Sequence, residues 1–216
     1  MRWTGQNGLV SFLKFRYIPR PVVGARSVSA RQVSSPCDEG RACYGPNALD
    51  FGGARFGKSK LAERLASQRS PVISVATAEA RDAEMAVRIG QHRRRRSPDW
   101  RTVEEPLDLA AAIDANGQST GTLLVECVTL WLSNLLLHDP RPPTEQIRRS
   151  VDGTIAAARR ATADVVWVSN EVGSGIVPDN PLAREFRDLL GEVNQQLAAA
   201  SDHVTLCVAG IASKLK

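Results

Sequence analysis

Gly52-Gly53-Ala54-Arg55-Phe56-Gly57-Lys58-Ser59 fits the pattern G-x-x-x-x-G-K-[ST], and no other stretch of the chain constrains its fold as tightly. Such a loop works between a strand that delivers it and a helix that begins on it. Its glycines let the backbone wrap an anion with N–H groups pointing inward. Lys58 brings a charge to the β and γ phosphates of a nucleotide. The Ser59 hydroxyl can ligate Mg²⁺, and the helix that follows aims its positive end at the anion. From average residue usage, a chance match in a chain this long is on the order of one in a hundred. The flanks agree with the motif: Ala48–Phe51 reads as a strand, and Lys58–Gln68 as a helix with Leu61 and Leu65 four apart.

Beyond the loop, β-branched runs alternate with helical stretches. Val72–Ala76, Thr122–Glu126, Val165–Ser169 and His203–Ala209 are predicted strands, the last of them closing the series, and Trp100–Val103 is extended. Helices are predicted over Ala80–His92, Leu107–Ala115, Val128–Leu137, Thr144–Ala161 and Pro181 to about Ala200, where Pro181 suits a first helical turn. Strands alternating with helices predict an α/β fold, a mainly parallel sheet flanked by helices. In such sheets ligands bind beyond the carboxyl ends of the strands.

Charge divides the chain. The formal net charge is +5, yet residues 1–37 alone hold six Arg or Lys and no acid. Residues 47–216 read as the folded domain, and 1–46 as a disordered extension or a start assigned too far upstream. The stretch is Arg-rich and acid-poor like a transit peptide, but Pro19, Pro21 and Pro36 interrupt it. Because the domain itself is close to neutral, no nucleic-acid partner is expected. No apolar run reaches transmembrane length. Cys37, Cys43, Cys127 and Cys207 form no CxxC pair, and two lie in apolar runs, which reads as free thiols in a reducing, cytoplasmic compartment.

Two further residues bear on chemistry. His92 opens the run His92-Arg93-Arg94-Arg95-Arg96. A neutral imidazole can attack an α-phosphate and carry a nucleotidyl group as a phosphoramidate, with guanidinium groups holding the triphosphate. The same run also reads as a solvated basic helix end or a nucleic-acid patch, and spacing alone leaves these open. Glu126 ends an apolar strand, where an acid beside a phosphate loop commonly holds the metal or its waters. His138 and His203 lack a partner pattern, and Glu104 is uninformative alone.

At this point the chain resembles the adenosylcobinamide kinase/adenosylcobinamide-phosphate guanylyltransferases. The resemblance covers about residues 47–216. It runs from the loop at 52–59 through Ala76-Thr77-Ala78, Asp82-x-Glu84-Met85-x-x-Arg88-Ile89-x-x-His92 and Trp100-Arg101-Thr102-x-Glu104. It continues through Glu126-Cys127-Val128-Thr129-Leu130-Trp131 and Ser169-Asn170-Glu171-Val172-Gly173-Ser174-Gly175-Ile176-Val177-Pro178. The resemblance implies a RecA-like P-loop fold, usually a homotrimer. It implies phosphorylation of adenosylcobinamide by ATP or GTP, then transfer of GMP from GTP through an enzyme-bound histidine to give adenosylcobinamide-GDP. By position, His92 matches the guanylylated histidine. Residues 52–59, 76–78 and 93–96 (Arg93, Arg94, Arg95, Arg96), with Glu104 and Glu126, match nucleotide-contacting positions. The readings set against it are another P-loop small-molecule kinase and a nucleotide-binding protein with impaired catalysis.

Three departures stand out. Phe56 occupies a position where the family usually has Ser. Pointing outward it leaves a backbone cradle intact; pointing inward it distorts the cradle. Asp50 lies in a strand that is normally apolar, where a buried unpaired carboxylate is costly. The basic stretch at 1–46 is the third.

Overall fold

The computed structural model describes residues 46–216, and the readings placed on 1–45 lie outside the described residues. Seven strands form one sheet: β1 (Asn47–Gly52), β2 (Val72–Ala76), β3 (Arg101–Glu104), β4 (Thr122–Glu126), β5 (Asp164–Asn170), β6 (His203–Val208) and β7 (Ile211–Lys214). Their order is β3-β2-β4-β5-β1-β6-β7. The first six run parallel, and β7 returns antiparallel to β6. The helices are α1 (Lys58–Ala66), α2 (Ala83–Arg95), α3 (Leu109–Asn116), α4 (Val128–Leu136), α5 (Thr144–Arg160) and α6 (Pro181–Ala200). This is a RecA-like P-loop arrangement, with the loop-bearing strand β1 inside the sheet, between β5 and β6.

The interior strands β1, β2, β4 and β5 are largely apolar on both faces because helices cover both. On one face Leu49, Val75, Val125, Val165 and Trp167 pack with Leu109, Trp131, Leu132, Ile147 and Leu190. On the other, Ala48, Leu124, Val166 and Val168 meet Ala62 and Ala66 of α1, small residues that let the helix lie close to the sheet. No helix of the described residues is long and apolar enough to cross a membrane.

Register aligns the carboxyl ends. Ala76 of β2 pairs with both Glu104 of β3 and Glu126 of β4, and Gly52 of β1 pairs with Asn170 of β5. Residues scattered over more than a hundred positions therefore share one rim.

Two expectations are corrected. Helix α2 spans 83–95 rather than 80–92. Asp82 caps it, accepting from the Met85 N–H at 2.7 Å, and the arginines are good helix formers that carry it past His92. It stops at Arg96, just before Ser97-Pro98, where the proline disfavours a helical Ser97. The strand at 203–208 is not the last. Ala209 and Gly210 both have positive φ, 51° and 81°, and this two-residue turn folds Ile211–Lys214 back onto β6. Ala in a position that favours Gly or Asn hides that hairpin from a reading of the sequence.

Candidate active site

The phosphate loop is built by close approach. Gly52 passes so near β6 that a Cβ there would sit 2.2 Å from the Cys207 carbonyl oxygen. Gly57 caps α1 with φ 95°, and Arg55 also lies in the left-handed region at φ 60°. The β6–β7 turn braces the loop from outside, the Gly210 N–H donating to the Phe56 carbonyl at 3.1 Å. Phe56 is 37% exposed, and its ring lies over Gly53 instead of inside the cradle. Its bulk is therefore accommodated by the absence of a side chain at Gly53.

Lys58 is 6% exposed, and its ammonium donates to the Gly53 carbonyl at 2.8 Å. Burial lowers its pKa. Asp50 lies beneath α1, fully buried on β1. Burial pushes its carboxyl up to about 7, although the Thr205 side chain and the Arg64 charge pull the other way. The acid expected to be costly is indeed inside the fold.

Glu126 joins the two sides of the rim. It is 8% exposed. Arg96 Nη2 donates to its Oε2 at 2.7 Å, and His92 Nδ1 stands 3.3 Å from its Oε1. Burial by itself would raise the Glu126 pKa. Hydrogen bonds from His92, Ser59 and Arg96, with the His92 ring's charge, outweigh it and hold the carboxyl down at about 2. Ser59, at the start of α1, thus faces the carboxylate that meets the histidine.

His92 sits in the last turn of α2, and none of that helix's residues is buried. Ion pairs hold the helix end in place. Arg95 reaches Glu63 of α1 through hydrogen bonds of 2.6–3.2 Å, and this carboxylate raises its pKa. Arg93 pairs with Glu104 of β3 on the surface. Arg95 Nη2 is also 3.3 Å from His92 Nδ1. A guanidinium can only donate and a carboxylate only accept. Nδ1 therefore either accepts from Arg95 or donates to Glu126. Only the second leaves Nε2 with a free lone pair.

The expected site residues divide accordingly. Gly52–Ser59, His92, Arg95, Arg96 and Glu126 converge. Thr77 faces inward: its hydroxyl donates to the Cys127 carbonyl at 2.8 Å and accepts from the Cys127 N–H at 2.9 Å. Of 76–78, then, the Thr77 side chain is committed to the fold. Glu104 and Arg93 stand exposed at the sheet edge, with Arg94 exposed beside them on α2. The Asn170–Pro178 loop starts beside the cradle, where the Glu171 N–H donates to the Gly52 carbonyl at 3.0 Å, and runs outward to Ile176, 97% exposed.

Glu63 was not legible as a site residue. Its signal was the four-residue step from Ser59, which puts both on one face of α1. Glu63, His92 and Glu126 present ligand atoms within 4.8 Å of one another. Arg95 and Arg96 already occupy the two carboxylates, so a metal bound to all three would face two guanidinium groups. Ser59 and Glu126, two hard oxygen donors beside the cradle, would set a Mg²⁺ beside one guanidinium, that of Arg96, instead of two.

Comparison with known proteins adds a family. Residues 49–215 match the model of cobinamide kinase / cobinamide phosphate guanyltransferase. The chain is 45% identical over 178 residues to the bifunctional adenosylcobalamin biosynthesis protein CobU of Escherichia coli (strain K12), covering 78% of this chain and 98% of that protein. It is 43% identical over 169 residues to the bifunctional adenosylcobalamin biosynthesis protein CobP of Pseudomonas aeruginosa (strain PAO1), covering 78% and 96%. The CobU of Salmonella typhimurium (strain LT2) is 45% identical over 178 residues.

Proposed function

The chain belongs to the cobinamide kinase / cobinamide phosphate guanyltransferase family, and we propose that it works through a guanylylated His92 beside a Mg²⁺-dependent phosphate loop. It is a bifunctional transferase of cobalamin biosynthesis. In our reading, ATP or GTP phosphorylates the aminopropanol hydroxyl of adenosylcobinamide, and GTP then supplies GMP.

One observation carries the assignment of His92: its Nδ1 lies 3.3 Å from the buried, ionised carboxylate that Ser59 also faces. A carboxylate accepting from Nδ1–H leaves Nε2 as the nucleophile and steadies the ring when it becomes positive. Nε2 forms a bond to the α-phosphorus of GTP, and pyrophosphate leaves from the bond that breaks. The backbone of 52–59 and Lys58 hold the triphosphate and its developing charge. Arg95 and Arg96 supply further positive charge. Mg²⁺, held by Ser59 with Glu126 directly or through water, would neutralise the β and γ phosphates. The hydroxyl of Thr77 has no part in this, being turned to Cys127. A homotrimer in the cytoplasm completes the proposal, on the family resemblance.

The test is incubation with Mg²⁺ and GTP labelled on the α-phosphate, followed by a denaturing gel. Acid-labile, base-stable label that vanishes in His92→Ala is the expected result. A folded wild-type protein that takes up no label would remove His92 from the mechanism.

A further inference from the structure

We propose that the cavity between α1 and the α2–β3 turn receives the phosphate of the second substrate during GMP transfer. This deepens the reading above and rests on it. The cavity has a volume of about 340 Å³ and opens to solvent. Lys60 and Arg64 of α1, Arg95 and Arg96 from the end of α2, and Trp100 before β3 line it, with Glu63 among them. No residue of the loop 52–59 does. The phosphate loop therefore lies outside this cavity, and of the residues expected to contact the nucleotide only Arg95 and Arg96 line it.

Four cations face one carboxylate there. Arg95 is paired with Glu63, and Arg96 Nη2 with Glu126 outside the cavity. Lys60 and Arg64 enter no ion pair among the described residues. The Arg96 side chain is only 7% exposed, yet its Nε has no hydrogen-bond partner. A buried donor without an acceptor is costly, and a phosphate oxygen is the acceptor that a guanidinium fork with two neighbouring cations recognises. Trp100 supplies an apolar wall for a short aliphatic linker. The volume suits a phosphorylated aminopropanol arm, and the macrocycle stays outside at the open mouth. The cavity is also close to the transferring group, because Arg95, which lines it, stands 3.3 Å from His92 Nδ1.

The step balances without a co-reactant. An oxygen of the acceptor phosphate forms a bond to the α-phosphorus of the GMP-enzyme. The bond from phosphorus to Nε2 of His92 breaks, and its electron pair returns to Nε2. Nδ1 keeps the proton shared with Glu126. The product carries a pyrophosphate bridge to guanosine.

The test compares wild type with the double variant Lys60→Ala/Arg64→Ala. Calorimetric titration with 1-aminopropan-2-yl phosphate should show binding weakened about tenfold or more, the loss of two charge-assisted contacts. GMP-enzyme formation from labelled GTP should stay within about twofold, since neither residue belongs to the loop or contacts His92. Discharge of isolated GMP-enzyme should need about tenfold more cobinamide phosphate. Unchanged phosphate binding and discharge would overturn the proposal, with the phosphate then bound in the loop. Equal loss of GMP-enzyme formation and of discharge would overturn it too, by giving the cavity to GTP. Failure of the wild type to form GMP-enzyme would instead count against His92. The calorimetry, which needs no GTP, reads the cavity independently.

Discussion

Lys58 at the start of α1 and Glu126 at the end of β4 are buried, whereas His92 stands on α2, a helix with no buried residue. The difference is in what holds each half. The phosphate half is positioned by packing, by Gly52 pressed against Cys207 and by a turn that braces the loop. The half that carries His92 is positioned by ion pairs, Arg95 to Glu63 and Arg96 to Glu126. Packing is short-ranged and unforgiving, while a partly exposed ion pair such as Arg95–Glu63 is weak and readily exchanged. The Arg96–Glu126 pair is buried and ties the helix end to the packed half. Such a division suits the proposed reaction, in which His92 takes GMP from a triphosphate held in the loop and then yields it to an acceptor.

The largest break in the comparison comes from Glu126→Ala. It removes the one residue common to both halves and leaves Arg96 buried and unpaired. Stability should fall by about 3–5 kcal/mol, read from denaturant midpoints, and GMP-enzyme formation should be lost.

Asp50→Asn tests the buried half alone. The folded carboxyl titrates at about 7 instead of 3.8. Between those values the folded state holds a proton that the unfolded state has released. Stability therefore falls as pH rises through that window and stays lower above it. The variant should gain up to about 4 kcal/mol at pH 8 and little at pH 4, measured as the pH dependence of unfolding. A gain equal at both pH values would mean that the carboxyl's charge is not what costs stability. Glu126 has the opposite sign: its depressed pKa contributes stability that is present above its ordinary 4.5 and is lost as pH falls toward 2.

The smallest stability change belongs to Glu63→Gln, in the ion-paired half. The Arg95 side chain is 36% exposed, so unfolding free energy should move by less than about 1 kcal/mol. The initial rate of GMP-enzyme formation should nonetheless drop, by about fivefold, because Arg95 is then free to donate to His92 Nδ1 and occupy the atom that Glu126 must hold. A change in stability without a change in rate would reduce the Glu63–Arg95 pair to scaffolding.

How legible the molecule is in its sequence differs between the same two regions. Val72–Ala76, Thr122–Glu126 and Pro181–Ala200 have the boundaries that their residues imply, because a buried parallel strand and a capped helix advertise themselves locally. The boundaries of α2 are misread, since Met85 and Ile89 look like a core stripe and are only partly covered. The β6–β7 hairpin is missed because Ala209 adopts a conformation its side chain disfavours.

The composition of the loop, the alternation of strand and helix, and the placing of an acid at the end of β4 follow from the amino-acid order alone, because each depends on neighbours within a few residues. Tertiary structure decided the rest. It selected Arg95 and Arg96 out of four arginines, turned the Thr77 hydroxyl onto the Cys127 backbone, drew Glu63 in, and closed Asp50 under a helix. Those outcomes depend on strand register and on which side chains meet across elements, distances that no local pattern encodes.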